Sequence, residues 1–131
     1  MKERFQDNGW KRPEIIHQVP TKWGWVVWHP EKLVLGEKCD IGFGTYINAF
    51  AGVRIGARAE LGSHCSVNSI STVDHKQGKI TIGDGAKIGS HCVIMPGVRI
   101  GIGATVGACS FVNKDIPPHS LAYGVPAHIV K

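Results

Sequence analysis

The sequence has no long apolar run, neither at its charged start nor later in its 131 residues. A secretory signal needs an apolar segment behind a basic start, and a membrane-spanning helix needs about 20 consecutive apolar residues. We therefore expect a cytoplasmic protein that does not cross a membrane.

The sequence also lacks a basic stripe and a zinc signature. Its net charge of +5 is spread along the chain, which argues against a nucleic-acid partner. Four cysteines are present, but their spacing fits no zinc site. Cys39, Cys65 and Cys92 recur at one position of a six-residue repeat, so we predict buried packing residues and neither disulfides nor a metal.

Neither helical nor strand periodicity organises the centre of the chain. From Ile82 to Pro117 it reads IGDGAK, IGSHCV, IMPGVR, IGIGAT, VGACSF and VNKDIP. An aliphatic residue returns every sixth position, usually before Gly, with a small or branched residue four places on. This period predicts an all-β fold, a parallel β-helix with three hexads per coil and coils about 4.8 Å apart. The aliphatic residues would face the axis, and each Gly would permit a turn.

Hexads also occupy most of the chain from residue 35, enough for about four coils. We divide the chain into an N-terminal cap or arm (1–34), a β-helix (35–117) with an insertion loop (73–81), and a C-terminal tail (118–131). Residues 47–54 exceed a hexad by two, so this bulge and the insertion fall on one edge of the prism. Such irregularities on a regular scaffold are typical of functional sites.

The N-terminal segment does not follow the repeat. Pro13 and Pro20 bracket a possible short helix. The segment is also rich in tryptophan. These side chains either cover the open end of the solenoid or, in one case, stack on an acceptor ring.

The hexads from about residue 28 to residue 131 resemble those of the hexapeptide-repeat acyltransferases, in particular the sugar and nucleotide-sugar acetyltransferases. The resemblance implies a left-handed coil, a homotrimer, acetyl-CoA as the acyl donor, and a sugar or nucleotide-linked sugar as the acceptor. Acyl transfer also needs a base, and a neutral histidine can serve at cytoplasmic pH.

The same resemblance implies the site residues. In the family the catalytic histidine lies in the loop before a coil that begins I-G-D or I-G-N, and here His75 precedes Ile82 in such a loop. Asn48 matches an active-site asparagine of the sugar acetyltransferases. The residues implied for coenzyme A are Ser90, Ala108, Asn113, Lys114, His128 and Lys131. His75 has a plainer interpretation as an exposed loop residue, and Asn48 has one as a turn residue. Lys114 and Lys131 have one as ordinary solvated lysines.

Two other functions fit a hexapeptide β-helix. One is a metal protein similar to the γ-type carbonic anhydrases, which the histidine spacing disfavours. The other is a non-catalytic assembly subunit.

His64 and His91 occupy equivalent positions in two Gly-Ser-His-Cys strings, so we expect their side chains to stack on adjacent coils. They are either a metal pair or a simple product of the repeat.

Overall fold

The computed structural model describes residues 9–131, whose regular secondary structure is almost entirely short β-strands joined by turns. The first eight residues of the predicted cap lie outside the described residues. One 3-10 turn spans Pro30–Lys32. The strands are β1 (Val26–Trp28), β2 (Leu33–Leu35), β3 (Asp40–Ile41), β4 (Tyr46–Asn48), β5 (Val53–Ile55), β6 (Glu60–Leu61), β7 (Ser66–Asn68), β8 (Ile80–Ile82), β9 (Lys87–Ile88), β10 (Val93–Ile94), β11 (Arg99–Ile100), β12 (Thr105–Val106), β13 (Phe111–Val112), β14 (Leu121–Gly124) and β15 (Ala127–Ile129).

The strands form three parallel sheets that wrap around one axis. Sheet I contains β1, β4, β7, β10 and β13; sheet II contains β2, β5, β8 and β11; sheet III contains β3, β6, β9, β12 and β14, with β15 antiparallel at its end. Successive coils pair in register, as Ile47 with Val67 and Ile94 with Val112. The predicted left-handed parallel β-helix is confirmed, as a solenoid of about five turns. Strands β1 and β14 add rungs beyond the four coils counted in the sequence.

The core consists of the residue columns that the hexad predicted. Each first-position aliphatic residue of the uninterrupted run is at most 3% exposed. A second buried column comes from the residues four places on, among them Cys65, Cys92 and Ser110. No coil could bury its apolar side alone, so the stack of coils supplies the continuous core.

The glycines after the aliphatic residues serve a different purpose from the one predicted. Gly62 does not have a left-handed φ, so the expected need for a turn conformation is wrong there. A Cβ on Gly62 would instead lie 2.6 Å from the backbone nitrogen of Ser90 in the next coil. This position requires glycine because successive coils approach closely. The left-handed conformation falls two residues later, at His64 and His91 among others.

The predicted helix between Pro13 and Pro20 is wrong. The chain there makes a tight turn bridged by Ile16 and Val19, and the backbone N–H of Gln18 donates to the carbonyl of Val27 at 2.9 Å. Pairing with β1 therefore outweighs the local proline signals.

Within residues 9–131 no helix has the length and apolar character needed to cross a bilayer.

Cys39, Cys65 and Cys92 are buried, as expected of packing residues, and Cys109 is exposed. Burial raises the pKa of the Cys39 thiol to about 11, and burial also raises the pKa of Cys65 and of Cys92.

Because the thiolate is the reactive form, we expect iodoacetamide at pH 8 to modify only Cys109 in the native protein and all four cysteines after unfolding. Peptide mass spectrometry measures this pattern. Alkylation of Cys65 or Cys92 in native protein would contradict it.

Candidate active site

Two irregular connections lie side by side where strands of sheet I lead into strands of sheet II, called here the I–II edge. Residues 49–52 join β4 to β5, and residues 69–79 join β7 to β8 one coil later. The insertion, predicted as residues 73–81, is from here on this connection 69–79, because residues 80 and 81 belong to β8. In the regular corner between β10 and β11 the buried residues Ile94 and Ile100 are six positions apart in the sequence. The equivalent residues Ile47 and Ile55 are eight positions apart, because of the bulge. The bulge and the insertion therefore lie on neighbouring coils of one edge.

Asn48 ends β4 and supports the bulge. Its side chain points away from the core but is only 7% exposed. Its amide nitrogen donates to the hydroxyl of Tyr46 at 2.9 Å, and its side-chain oxygen accepts the backbone N–H of Phe50 at 3.1 Å. The Asn48 side chain is thus already engaged by its own chain on both polar atoms.

Ser69 connects the bulge to the insertion. Its hydroxyl donates to the backbone carbonyl of Asn48 at 2.7 Å and accepts the backbone N–H of Ala51 at 2.9 Å. Ser69 is fully buried at the start of the insertion. This buried link fixes the base of the insertion against the bulge.

The insertion itself is a short hairpin with His75 near its exposed end. Ile70 and Gln77 form its bridge, and the backbone N–H of Ser71 donates to the carbonyl of Lys76 at 2.8 Å. His75 adopts a left-handed φ of 60°. Within residues 9–131 its imidazole has no hydrogen-bond partner, so the structure does not join it to Asn48.

Asp74 precedes His75 and stays ionised. The backbone N–H of Lys76 donates to its carboxylate at 3.2 Å, and the Lys76 ammonium lies 3.8 Å from it. Hydrogen bonds from the Lys76 backbone and the Ser71 side chain lower the pKa of Asp74. The Asp74 carboxylate is therefore held by Ser71 and Lys76 on either side of His75 in the hairpin.

The residues implied for coenzyme A fall into two groups. Ser90 and Ala108 stack on successive coils at the corner between sheets III and I. Ser90 borders an open cleft of about 650 Å³ over sheet III, and its hydroxyl accepts the backbone N–H of Ser63 at 3.2 Å. Small side chains here leave the backbone of the corner accessible.

The second group lies at the C-terminal end. Asn113, Lys114 and His128 border a cleft of about 520 Å³, because the hairpin of β14 and β15 folds back over the last coil. The ring of His128 packs edge-on against Tyr123, with ring centres 5.8 Å apart. Lys131 does not line this cleft, and its backbone carbonyl accepts the N–H of Leu121 at 2.6 Å.

The predicted stacking of His64 on His91 is confirmed. Their ring centres lie 5.2 Å apart, and the planes differ by 10°. Within residues 9–131 there is no cluster of three or more histidine, cysteine or acidic side chains suited to a metal ion. The two histidines occupy equivalent positions of the Gly-Ser-His-Cys strings, and the repeat accounts for their stacking.

Sequence reasoning did not identify a group of rings beside Asn48, called here the aromatic cluster. It consists of His17, Trp28, His29, Tyr46 and Phe50. The tryptophan-rich segment was a signal for part of it. The hexad pattern could not show that residues before the repeat reach the I–II edge.

Comparison with known proteins gives relatives of one kind. The six-repeat family model "Bacterial transferase hexapeptide" matches residues 79–114. A chloramphenicol acetyltransferase of Klebsiella aerogenes is 34% identical over 110 residues, which cover 77% of this chain and 51% of that protein. The galactoside O-acetyltransferase of Escherichia coli K12 is 54% identical over 52 residues, 40% of this chain and 26% of that protein. The chain spans about half or less of the length of these two relatives.

The fold has solved counterparts as well. A hexapeptide-repeat acetyltransferase of Vibrio cholerae O1 biovar eltor, complexed with acetyl coenzyme A, aligns with a TM-score of 0.75 and 28% identity. The alignment covers 82% of this chain and 63% of that one. The resemblance of this chain to the hexapeptide-repeat acyltransferases is therefore confirmed in sequence and in fold.

Proposed function

We propose that the protein is an acetyl-CoA-dependent acetyltransferase that acts on a hydroxyl or amine of a sugar or nucleotide-linked sugar. The observation that carries this proposal is the alignment of most of the chain with an acetyltransferase complexed with acetyl coenzyme A. The sugar acceptor is supported by the similarity to the galactoside enzyme. We also propose the cytoplasm as its location.

His75 is the proposed general base. Its neutral imidazole takes the proton from the acceptor as the acceptor oxygen or nitrogen attacks the thioester carbon. The C–S bond then breaks, and the imidazolium passes the proton to the departing sulfur of coenzyme A. The exposed hairpin leaves the imidazole accessible to an acceptor.

We propose that the working form is a homotrimer. No group in the described part of the chain orients the His75 imidazole, so the acceptor or a second copy of the chain would do so. A narrow solenoid also buries little surface of its own, which favours symmetric association.

Asn48 has a more limited role in this proposal. One N–H of its amide remains after the bond to Tyr46, and that group would hold the acceptor or the oxyanion. Its 7% exposure and its two contacts within the chain favour a positioning role, in which it holds the Tyr46 hydroxyl and the turn at Phe50. Replacing Asn48 is therefore expected to lower kcat less than replacing His75.

We further propose that coenzyme A lies along the last coils. Ser90 and Ala108 would admit the pantetheine arm beside the backbone, and Lys114, His128 and Lys131 would approach its phosphates. Asn113 would line the same path. The cleft bordered by Asn113, Lys114 and His128 supports this assignment.

Replacing Lys114 with alanine is expected to raise the KM for acetyl-CoA about 3- to 10-fold and leave kcat nearly unchanged. The reason is that an exposed lysine–phosphate contact contributes modestly to binding. Lys22→Ala is the matched control, because Lys22 is an exposed lysine on the N-terminal segment and does not border this cleft. Equal effects in both variants would remove Lys114 from the proposed coenzyme A site.

The proposal as a whole is tested by measuring release of free coenzyme A with a panel of sugars and sugar nucleotides. We expect acetyl-CoA turnover that depends on the acceptor and is unaffected by chelators. Carbon dioxide hydration together with tightly bound metal would support the carbonic-anhydrase-like alternative. Absence of both activities would favour an assembly subunit.

A further inference from the structure

The tryptophans of the N-terminal segment fall into two groups with different surroundings. Trp25 is 3% exposed and belongs to the core, while Trp23 packs against it. Trp10, Trp23 and Trp25 enclose a small space beside Leu35 and Ile41. These three cover apolar surface at the first coils. Covering the core therefore accounts for these three tryptophans.

Trp28 is not explained in this way. It ends β1 on the outer face of sheet I, while the neighbouring Val27 is fully buried and faces the core. Trp28 is 37% exposed, and it pairs with Asn48 in the register of sheet I. An exposed indole on this face adds nothing to the core, and it lies in the same column as a predicted site residue.

Two neighbouring rings, called here the wall, lie at an angle to the indole of Trp28. Tyr46 meets it edge-on, with ring centres 6.2 Å apart and planes 65° apart. His17 lies on another side, 5.7 Å away and tilted by 58°. Neither ring is stacked parallel on the indole, and Trp28 keeps 37% of its surface exposed.

The wall carries polar groups. The Tyr46 hydroxyl accepts the Asn48 amide at 2.9 Å, and its own hydrogen remains available to donate. Nδ1 of His17 accepts the backbone N–H of His29 at 2.9 Å, so the ring proton of neutral His17 resides on Nε2, a second donor. An apolar face with hydrogen-bond donors at its rim matches a pyranose ring, which has an apolar C–H face and hydroxyl groups at its edge.

We propose that Trp28 is the stacking platform for the pyranose ring of the acceptor, with Tyr46 and His17 as hydrogen-bonding rim residues. This inference rests on the proposed acetyltransferase function and names its acceptor subsite. A nucleobase would also stack on an indole. The rim donors favour the sugar, because its hydroxyl oxygens are acceptors around the whole ring.

The test measures sugar binding without acetyl-CoA, so that it remains informative if acetyl transfer is not found. Saturation-transfer NMR is recorded with methyl glucoside, methyl galactoside, methyl mannoside, N-acetylglucosamine and, as the nucleoside comparison, uridine, each with wild type, Trp28→Leu and Trp28→Phe. We expect at least one pyranoside to bind wild type, to bind Trp28→Leu about 5- to 10-fold more weakly, and to bind Trp28→Phe with intermediate affinity. Trp23→Leu is the control for loss of a tryptophan elsewhere in the segment.

Where turnover is observed, Trp28→Leu is expected to raise the KM for the acceptor and leave the KM for acetyl-CoA unchanged. Circular dichroism checks that each variant is folded, and Trp28→Phe preserves a ring if the leucine variant does not fold. The proposal is overturned if no pyranoside binds, if Trp28→Leu binds as wild type does, or if uridine alone binds in a Trp28-dependent way.

Discussion

Replacement of His75 with alanine is expected to lower kcat by about 10²- to 10⁴-fold, the usual effect of losing one acid–base group. The fold should be unaffected, because His75 lies on an exposed hairpin and its imidazole makes no hydrogen bond within residues 9–131. The left-handed φ of 60° adds little risk, since alanine replaces another residue that has a Cβ. The measurement is kcat for both proteins at saturating acetyl-CoA and acceptor, with oligomeric state and melting temperature determined on the same samples.

His64→Ala is the matched control. His64 is also an exposed histidine with a left-handed φ, of 56°, but it lies at the corner between sheets III and I. Loss of its stacking on His91 should have a small effect on stability and none on the chemical step. A His75→Ala protein that keeps near wild-type kcat would exclude His75 as the base, and a large loss in His64→Ala would move the site to that corner.

The pH dependence distinguishes a base from a residue that only binds the acceptor. A base must be unprotonated, so kcat of the wild type should fall on acidification, and the remaining activity of His75→Ala should lose that acidic limb. The loss of kcat in His75→Ala should be larger with a hydroxyl acceptor than with an amine acceptor, because a neutral amine attacks without prior loss of a proton. An unchanged pH profile in the variant would indicate that His75 acts through binding alone.

The sequence predicted the buried columns of the β-helix in detail, because the hexad period places the first residue of every hexad toward the axis. Ile47, Val67, Ile94 and Val112 are fully buried in a single column, as their equivalent hexad positions required. Counting residues also predicted that the bulge and the insertion share an edge. A fixed period determines which side chains face inward and which corner an extra residue enlarges.

Other features could not be predicted because they depend on contacts outside the repeat. The segment from Pro13 to Pro20 turns where it does because Gln18 bonds to Val27, a pairing that no local signal encodes. In the same way, the C-terminal hairpin decides which implied coenzyme A residues share a cleft, so it groups His128 with Lys114 and separates both from Ser90. The orientation of His75 would depend on a second molecule, beyond the information in one chain.

The close stacking of coils leads to the largest expected effect on stability, in Gly83→Ala. Gly83 follows Ile82 at the corner between sheets II and III and does not have a left-handed φ. A Cβ there would lie 2.5 Å from the backbone nitrogen of Ile102 and 2.8 Å from the carbonyl carbon of Gly101. Both atoms belong to the backbone of the next coil, so no change of side-chain rotamer relieves the overlap.

Gly85→Ala, in the same corner, is the matched comparison. Gly85 has a φ of +66°, but a Cβ there would meet nothing within 4 Å. We expect Gly85→Ala to cost about 1 kcal/mol for the left-handed conformation and Gly83→Ala to cost about 3 kcal/mol for overpacking between coils. Urea unfolding of both variants and the wild type, at one protein concentration because association affects apparent stability, gives the two free energies. A Gly83→Ala cost no greater than that of Gly85→Ala would mean that adjacent coils can accommodate a Cβ, and that their close approach is not the reason for glycine after the aliphatic residue.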